Sequence, residues 1–202
     1  MTRTVINQNI EQAVIGYMLN TTFDRDNLQA IAKLQQEIAK EHGDTLWFTP
    51  PEALHITLLD WLAPLIDYGE NKEALFKKTF GQYDKVLTQI IGDEKEIEIH
   101  FDDVKAGPEA VFIIGHDDGQ FARIRNKYLQ QVTLLPNTKL PPAIIHSTLA
   151  RFVKEVELAP IETLVAGLKL DVRQPVKSFR LTRETVDPLL NFTVIKEYPT
   201  KS

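Results

Sequence analysis

Cysteine is missing altogether from the 202 residues, which removes disulfides, thiolate nucleophiles and cysteine-ligated zinc together. Chemistry must therefore come from histidine, carboxylates, hydroxyls, lysine or arginine. No apolar run approaches the roughly 18 residues of a membrane span. The N-terminus also lacks a basic segment followed by a continuous apolar stretch. These absences predict a cytoplasmic protein with no membrane partner. A cationic excess is lacking too: 23 Lys and Arg stand against 28 Asp and Glu, a net charge of −5, with a pI near 5.6. Binding along a phosphate backbone needs clustered Lys and Arg. Extended duplex nucleic acid is excluded as a partner, and any nucleic-acid substrate should be short or held by its end.

What is present is ordinary for a globular chain, 43% hydrophobic and 25% charged, far from the composition of disorder. The length suits one bilobal unit around a continuous core. Residues 13–19 form a short apolar run bounded by polar residues, a buried strand. Asp24 or Asp26 can cap a helix carrying Leu28, Ile31, Leu34 and Ile38, closed by His42-Gly43. A strand at 54–59 follows Pro50-Pro51, and a second helix carries Phe76, Phe80, Tyr83, Leu87 and Ile90 up to Gly92. Strands are then expected at 96–101 and 111–114, and a helix capped by Asp118 carries Phe121, Ile124, Tyr128 and Val132. Another strand at 144–149 follows Pro141-Pro142, and Pro160 suits the first turn of a helix bearing Ile161, Leu164, Val165 and Leu168. The tail reads as a hairpin with arms at 176–183 and 191–198, turning at Asp187-Pro188.

The most informative feature is internal. Residues 50–58, Pro-Pro-Glu-Ala-Leu-His-Ile-Thr-Leu, align with 141–149, Pro-Pro-Ala-Ile-Ile-His-Ser-Thr-Leu, and five of the nine positions are identical. His146 follows His55 by 91 residues, and each copy comes after the same order of strand, helix and Pro-Pro. This is a duplicated unit. It implies an α+β fold with two antiparallel sheets facing a central cleft, helices outside and a pseudo-two-fold axis. The expected organisation is a single bilobal domain over 1–202, with motif units at about 11–61 and 96–153, a helical connection at about 62–95 and a C-terminal helix and hairpin at about 158–199.

On a strand, side chains two apart share a face and lie about 6 to 7 Å apart. His55 therefore shares a face with Thr57, and His146 with Thr148. Brought together by the pseudo-axis, the pairs supply two imidazoles that titrate near neutrality and two hydroxyls that donate to non-bridging phosphate oxygens. In-line displacement at phosphorus needs a base on one side and an acid on the other. A single His-x-Thr is explained by a hydrogen-bonded core histidine; two at matched places in a repeat are not.

His55-Ile-Thr-Leu and His146-Ser-Thr-Leu resemble the paired motifs of the 2H phosphoesterase superfamily, which includes the RNA 2′,3′-cyclic phosphodiesterases once described as 2′-5′ RNA ligases. The likeness in element order runs from Ala13 to Tyr198. It implies metal-independent cleavage of a phosphodiester on a small nucleotide or short RNA end, often a 2′,3′-cyclic phosphate opened to a 2′-phosphate. It also implies no cofactor, a monomer, and His146 as base with His55 as acid, although near-symmetric motifs allow the reverse. A non-catalytic nucleotide-binding module of the same fold is the alternative. A metallohydrolase is disfavoured because Thr is a poor zinc ligand and no paired carboxylate accompanies either motif.

Two further residues are candidate substrate contacts. Arg151 ends a Thr148-Leu-Ala-Arg run of the kind similar phosphodiesterases carry, yet strict alternation puts it on the face opposite His146 unless the strand bulges. Asp60 holds the matching place in the first copy. Tyr17, on a strand expected beside a motif strand, could stack on a base. Trp47, Trp61 and Phe152 read first as core, His42 as a helix end, His100 as surface, and His116-Asp117-Asp118 as a polar turn rather than a metal site.

Overall fold

The structure, a computed structural model, describes residues 2–201. In chain order the elements are β1 (Ala13–Thr21), α1 (Arg25–His42), β2 (Leu46–Phe48), a 3-10 turn (Pro51–Ala53), β3 (Ile56–Leu62), α2 (Lys72–Gly92), β4 (Ile97–Ala106), β5 (Ala110–His116), α3 (Gln120–Gln131), β6 (Ile145–Phe152), α4 (Leu158–Ala166), β7 (Val172–Val176), β8 (Ser178–Val186) and β9 (Asn191–Pro199). All neighbouring strands pair antiparallel, in a four-stranded sheet ordered β3-β1-β8-β9 and a five-stranded sheet ordered β2-β6-β5-β4-β7.

The helices start where short polar side chains can take up free backbone N–H groups. Asp24 accepts from Asn27 N at 2.9 Å and caps α1. Asn71 caps α2 by accepting from the N–H groups of Glu73 and Ala74. The third helix corrects an expectation. Its cap position is Gly119, at φ +81°, and the carboxylate that receives Phe121 N–H is Asp117, at 2.8 Å, not Asp118. A residue with positive φ is needed at that corner, and glycine tolerates it.

Overlaying the orders β3-β1-β8-β9 and β6-β5-β4-β7 shows the duplication. Each motif strand lies beside the strand that leads into its unit's helix, β3 beside β1 and β6 beside β5. The first sheet is completed by the C-terminal hairpin, so the first lobe draws on both ends of the chain, and β2 of the first unit crosses over to pair with β6. The helices cross as well. The buried face of α1 packs toward β2, β6, β7 and α4, whereas α3 packs against β3 and α2. Two matched aromatic contacts join the halves: Phe23 meets Phe101 of β4 at 5.3 Å between centroids, and Phe121 meets Phe179 of β8 at 5.4 Å. One continuous apolar core results.

Two strands carry no signal in the sequence pattern, and a third runs well past its expected end. The first is β2, whose three residues are too few to show a period. A second, β7, contains Pro175 and lies at the edge of its sheet, where a missing N–H is tolerated. The third is β4, which continues past Phe101 to Ala106 because a bulge between Phe101 and Asp103 breaks the alternation that would have marked it.

The N-terminal segment ties the lobes together. Thr4 N–H and Asn7 N–H donate to Val156 and Phe152 of the second half, at 2.9 and 2.8 Å. Glu11 then donates to the Asp187 carbonyl at the turn after β8, at 2.8 Å.

Candidate active site

Between the sheets lies a cleft of about 660 Å³, lined by His55, Thr57, His146, Thr148 and Arg151 together. Both His-x-Thr pairs therefore face one cavity. His55 stands immediately before β3 and His146 near the start of β6. The Ala53 carbonyl lies 2.7 Å from His55 Nδ1. A carbonyl can only accept, so this contact holds the proton on Nδ1 and leaves Nε2 bare in the neutral ring. Ile144 is the matching neighbour of His146. Its carbonyl favours the imidazolium, yet among the described residues His146 Nδ1 is buried without a hydrogen-bond partner. The edge of Phe112 packs against the His146 ring at 6.0 Å.

Both imidazoles are harder to protonate than a free histidine. Burial is the main cause for His55, whose pKa falls to about 4; the Ala53 carbonyl opposes the fall, and Arg151, Arg180 and His146 add to it. Burial also lowers His146, with Arg125, Lys139 and Arg151 acting in the same direction.

Arg151 reaches the cleft through a bulge. In the β5–β6 ladder Val111 faces Ala150 but Phe112 faces Thr148, so Leu149 has no opposite residue. The extra residue shifts the phase of the alternation: Leu149 and Ala150 are buried in succession, and Arg151 returns to the side of His146 and Thr148. The strict alternation that would put Arg151 on the face opposite His146 does not hold, and that face is buried core. Among the described residues Arg151 makes no ion pair within 4.0 Å, and its Nε is buried without a partner. The first motif repeats the device. Leu19 faces Leu59 and Asn20 faces Thr57, which leaves Leu58 unopposed and turns Asp60 into the cleft.

Sequence reasoning did not find the acids opposite. Glu184 and Asp187, from β8 and the turn after it, line the same cleft as Asp60. Burial raises all three carboxyls. Glu184, only 1% exposed, is pushed to about 7, with Leu189 N–H opposing and the Asp187 and Asp60 charges reinforcing the rise. One of its oxygens accepts from Leu189 N–H, and the other is buried and unpartnered. Glu109, Lys139 and residues 5–9 also line the cleft, with aliphatic walls from Pro64, Leu65, Ile66 and Leu189.

Tyr17 is not part of this cavity. It is 3% exposed and stacks on Phe76 at 4.0 Å, 7° from parallel, while its neighbour Met18 faces the cleft. Trp61 is core, donating to Thr79 Oγ1 at 3.0 Å, and Phe152 is fully buried. Among the described residues no Phe, Tyr or Trp lines the cleft. His100 pairs with Asp171 at 2.7 Å on the outer surface, and His42 ends α1. Among the described residues no three His, Asp or Glu side chains converge to hold a metal ion.

No protein-family model matches the chain, and no curated protein matches it in sequence. Solved structures do match in fold. TT0787 of Thermus thermophilus aligns at TM-score 0.65 with 17% identity, over 91% of this chain and 97% of that one. A conserved protein of unknown function from Agrobacterium tumefaciens, ATU0111, aligns at 0.64 with 13% identity, over 96% and 91%. E. coli LigT in apo form aligns at 0.62 with 14% identity, over 95% of this chain and all of that one. LigT complexed with 3′-AMP aligns at 0.57. At these identities the likeness establishes a shared fold along nearly the whole chain.

Proposed function

We propose that this protein is a metal-independent phosphodiesterase of the 2H type, acting on a small nucleotide or RNA terminus and most naturally on a 2′,3′-cyclic phosphate. The observation that carries this reading is the convergence of two His-x-Thr pairs and Arg151 on one cleft. The fold shared with LigT, a protein solved with 3′-AMP bound, supports a nucleotide as ligand.

The proposed step is in-line. One imidazole takes a proton from water as its oxygen attacks phosphorus. The bond from phosphorus to the 3′ oxygen breaks, and the other imidazolium protonates that oxygen, leaving a 2′-phosphate. Thr57 and Thr148 donate to the non-bridging oxygens, and Arg151 offsets the charge that builds there. Because burial holds Asp60, Glu184 and Asp187 toward their neutral forms, these acids repel the phosphate less than ionised carboxylates would.

Burial makes both histidines favour the neutral form, and the mechanism needs the charge of a bound phosphate to bring one proton onto the pair. The hydrogen bond that holds the His55 proton on Nδ1 leaves its Nε2 bare in the neutral ring, which favours His55 as the base and His146 as the acid. That is the reverse of the order implied by the resemblance. Leaving-group rescue decides between them: a substrate with a very good leaving group restores turnover only to the variant that has lost the acid, and His146→Ala is the one expected to recover.

Incubation with 2′,3′-cyclic nucleotides, ADP-ribose cyclic phosphate, 2′-5′ oligoadenylate and short RNAs, with chelator present, tests the function. Turnover of at least one substrate, lost in His55→Ala and His146→Ala, is expected. A nucleotide held without product would instead identify a binding module.

A further inference from the structure

The bulges at Leu58 and Leu149 are each held by one polar side chain in an otherwise apolar helix face. The buried face of α1 is Ile31, Leu34, Gln35 and Ile38; that of α3 is Phe121, Ile124, Arg125 and Tyr128. The spacing is the same, and Gln35 and Arg125 occupy the same place in it. Gln35 Nε2 donates to the carbonyls of Thr49 and Leu149, at 2.8 and 2.9 Å. Arg125 Nε donates to the Leu58 carbonyl at 2.8 Å, and another guanidinium nitrogen to the Thr57 carbonyl at 2.9 Å. Each helix reaches across to the motif strand of the other half.

A bulged residue loses its place in the ladder, and a buried carbonyl without a partner is costly. Leu58 and Leu149 are fully buried; the Leu149 carbonyl accepts from Thr49 N–H at 2.9 Å and takes a second donor from Gln35, while Arg125 supplies donors to Thr57 and Leu58. In a regular strand successive carbonyls point to opposite edges. Thr57 and Leu58 both offer theirs to one guanidinium, whose rigid fork fits two acceptors.

We propose that Gln35 and Arg125 are positioning residues of the cleft: by pinning the two bulges from the opposite half, they set where Arg151 and Asp60 stand relative to the motif histidines. The hydrophobic pattern calls for a bulge, since regular alternation would bury Arg151 and expose Phe152. The clamp determines how tightly the bulge is held. What the positioned groups do rests on the phosphodiesterase reading; the pinning is a property of the backbone and is tested separately.

The experiment follows inorganic phosphate binding through the His55 and His146 ring protons by NMR, in the parent, Gln35→Met, Arg151→Ala and the double variant. Gln35→Met keeps size and removes the donors. It should weaken phosphate about tenfold or more, the scale of a lost charge-assisted hydrogen bond. Arg151→Ala should then cost much less in that background than in the parent. Parent-like phosphate affinity in Gln35→Met, or two losses that simply multiply, overturns the proposal. Should Gln35→Met fail to fold, Gln35→Asn, whose amide falls a methylene short, enters the same comparison. A parent that binds no phosphate refutes the functional reading alone. Amide exchange then tests the clamps: faster exchange confined to residues 149–151 in Gln35→Met and to 58–60 in Arg125→Lys supports them, and unchanged protection in both removes them.

Discussion

The two motif strands share a backbone device and differ in charge. β3 and β6 each carry His-x-Thr, an unopposed leucine, and a charged residue returned to the cleft by the bulge. In β3 that residue is Asp60, on a strand at the edge of its sheet, and the clamp is cationic Arg125. In β6 it is Arg151, on a strand covered by β2, and the clamp is neutral Gln35. The two halves share the geometry while the charges differ, so one motif strand brings a cation to the cleft and the other an acid. The imidazoles stayed equivalent in place but not in surroundings: only His55 has its Nδ1 proton held by a hydrogen bond.

The largest effect should come from the elements the halves share. His55→Ala and His146→Ala should each lower kcat by about 10²–10⁴-fold, measured on whichever substrate the panel identifies, and equal activity in either variant would leave that half without a chemical role. Thr57→Val and Thr148→Val should follow, with kcat down about 10²–10³-fold and little change in substrate affinity, as for loss of one oxyanion donor. Unequal losses would show which half carries the developing charge.

The elements that differ come next. Arg151→Ala should weaken phosphate binding about 10- to 100-fold, the worth of a charge-assisted hydrogen bond. Asp60→Asn, at the matched place, should leave binding unchanged or slightly improved, as calorimetry with inorganic phosphate would report. Equal losses at the two positions would erase the proposed charge asymmetry.

The smallest effect concerns stability against pH, where two buried groups oppose each other. His55 titrates near 4 in the fold instead of 6.5. Between those values the unfolded chain binds a proton that the native protein does not, so this group lowers stability as pH falls through the window. Glu184 titrates near 7 instead of 4.5. Between those values the native protein keeps a proton that the unfolded chain releases, so this group lowers stability as pH rises. Each shift corresponds to at most about 3 to 4 kcal/mol, and over most of the window the two slopes oppose each other. Glu184→Gln removes one of them. Urea midpoints of the variant should rise more steeply from acid pH toward 7 than those of the parent, and parallel curves would show that Glu184 ionises freely in the fold.

Much of this was written locally in the chain. The amphipathic stripes located α1 to α4, and the paired His-x-Thr in matched contexts located both motif strands. The bulges also left a trace: in Leu58-Leu59-Asp60-Trp61 and Leu149-Ala150-Arg151-Phe152 two apolar residues come in succession before a charged one and an aromatic. That phase break in the alternation predicts where Arg151 points, and strict period-two reasoning passes over it.

Other features had no local signature. Tyr17 satisfies the pattern of a cleft residue and of a core residue equally, and only the arrival of α2, with Phe76 against its ring, makes it core. Glu184 and Asp187 sit in a terminal hairpin that resembles any other, and they become part of the site because β8 inserts beside β1, more than 150 residues away in sequence. Periods of two and 3.6 residues report which face of an element is buried. They carry no information about which distant element buries it, and the exchange of α1 and α3 between the halves, the acid wall of the cleft and the separate surroundings of the two histidines all follow from that choice.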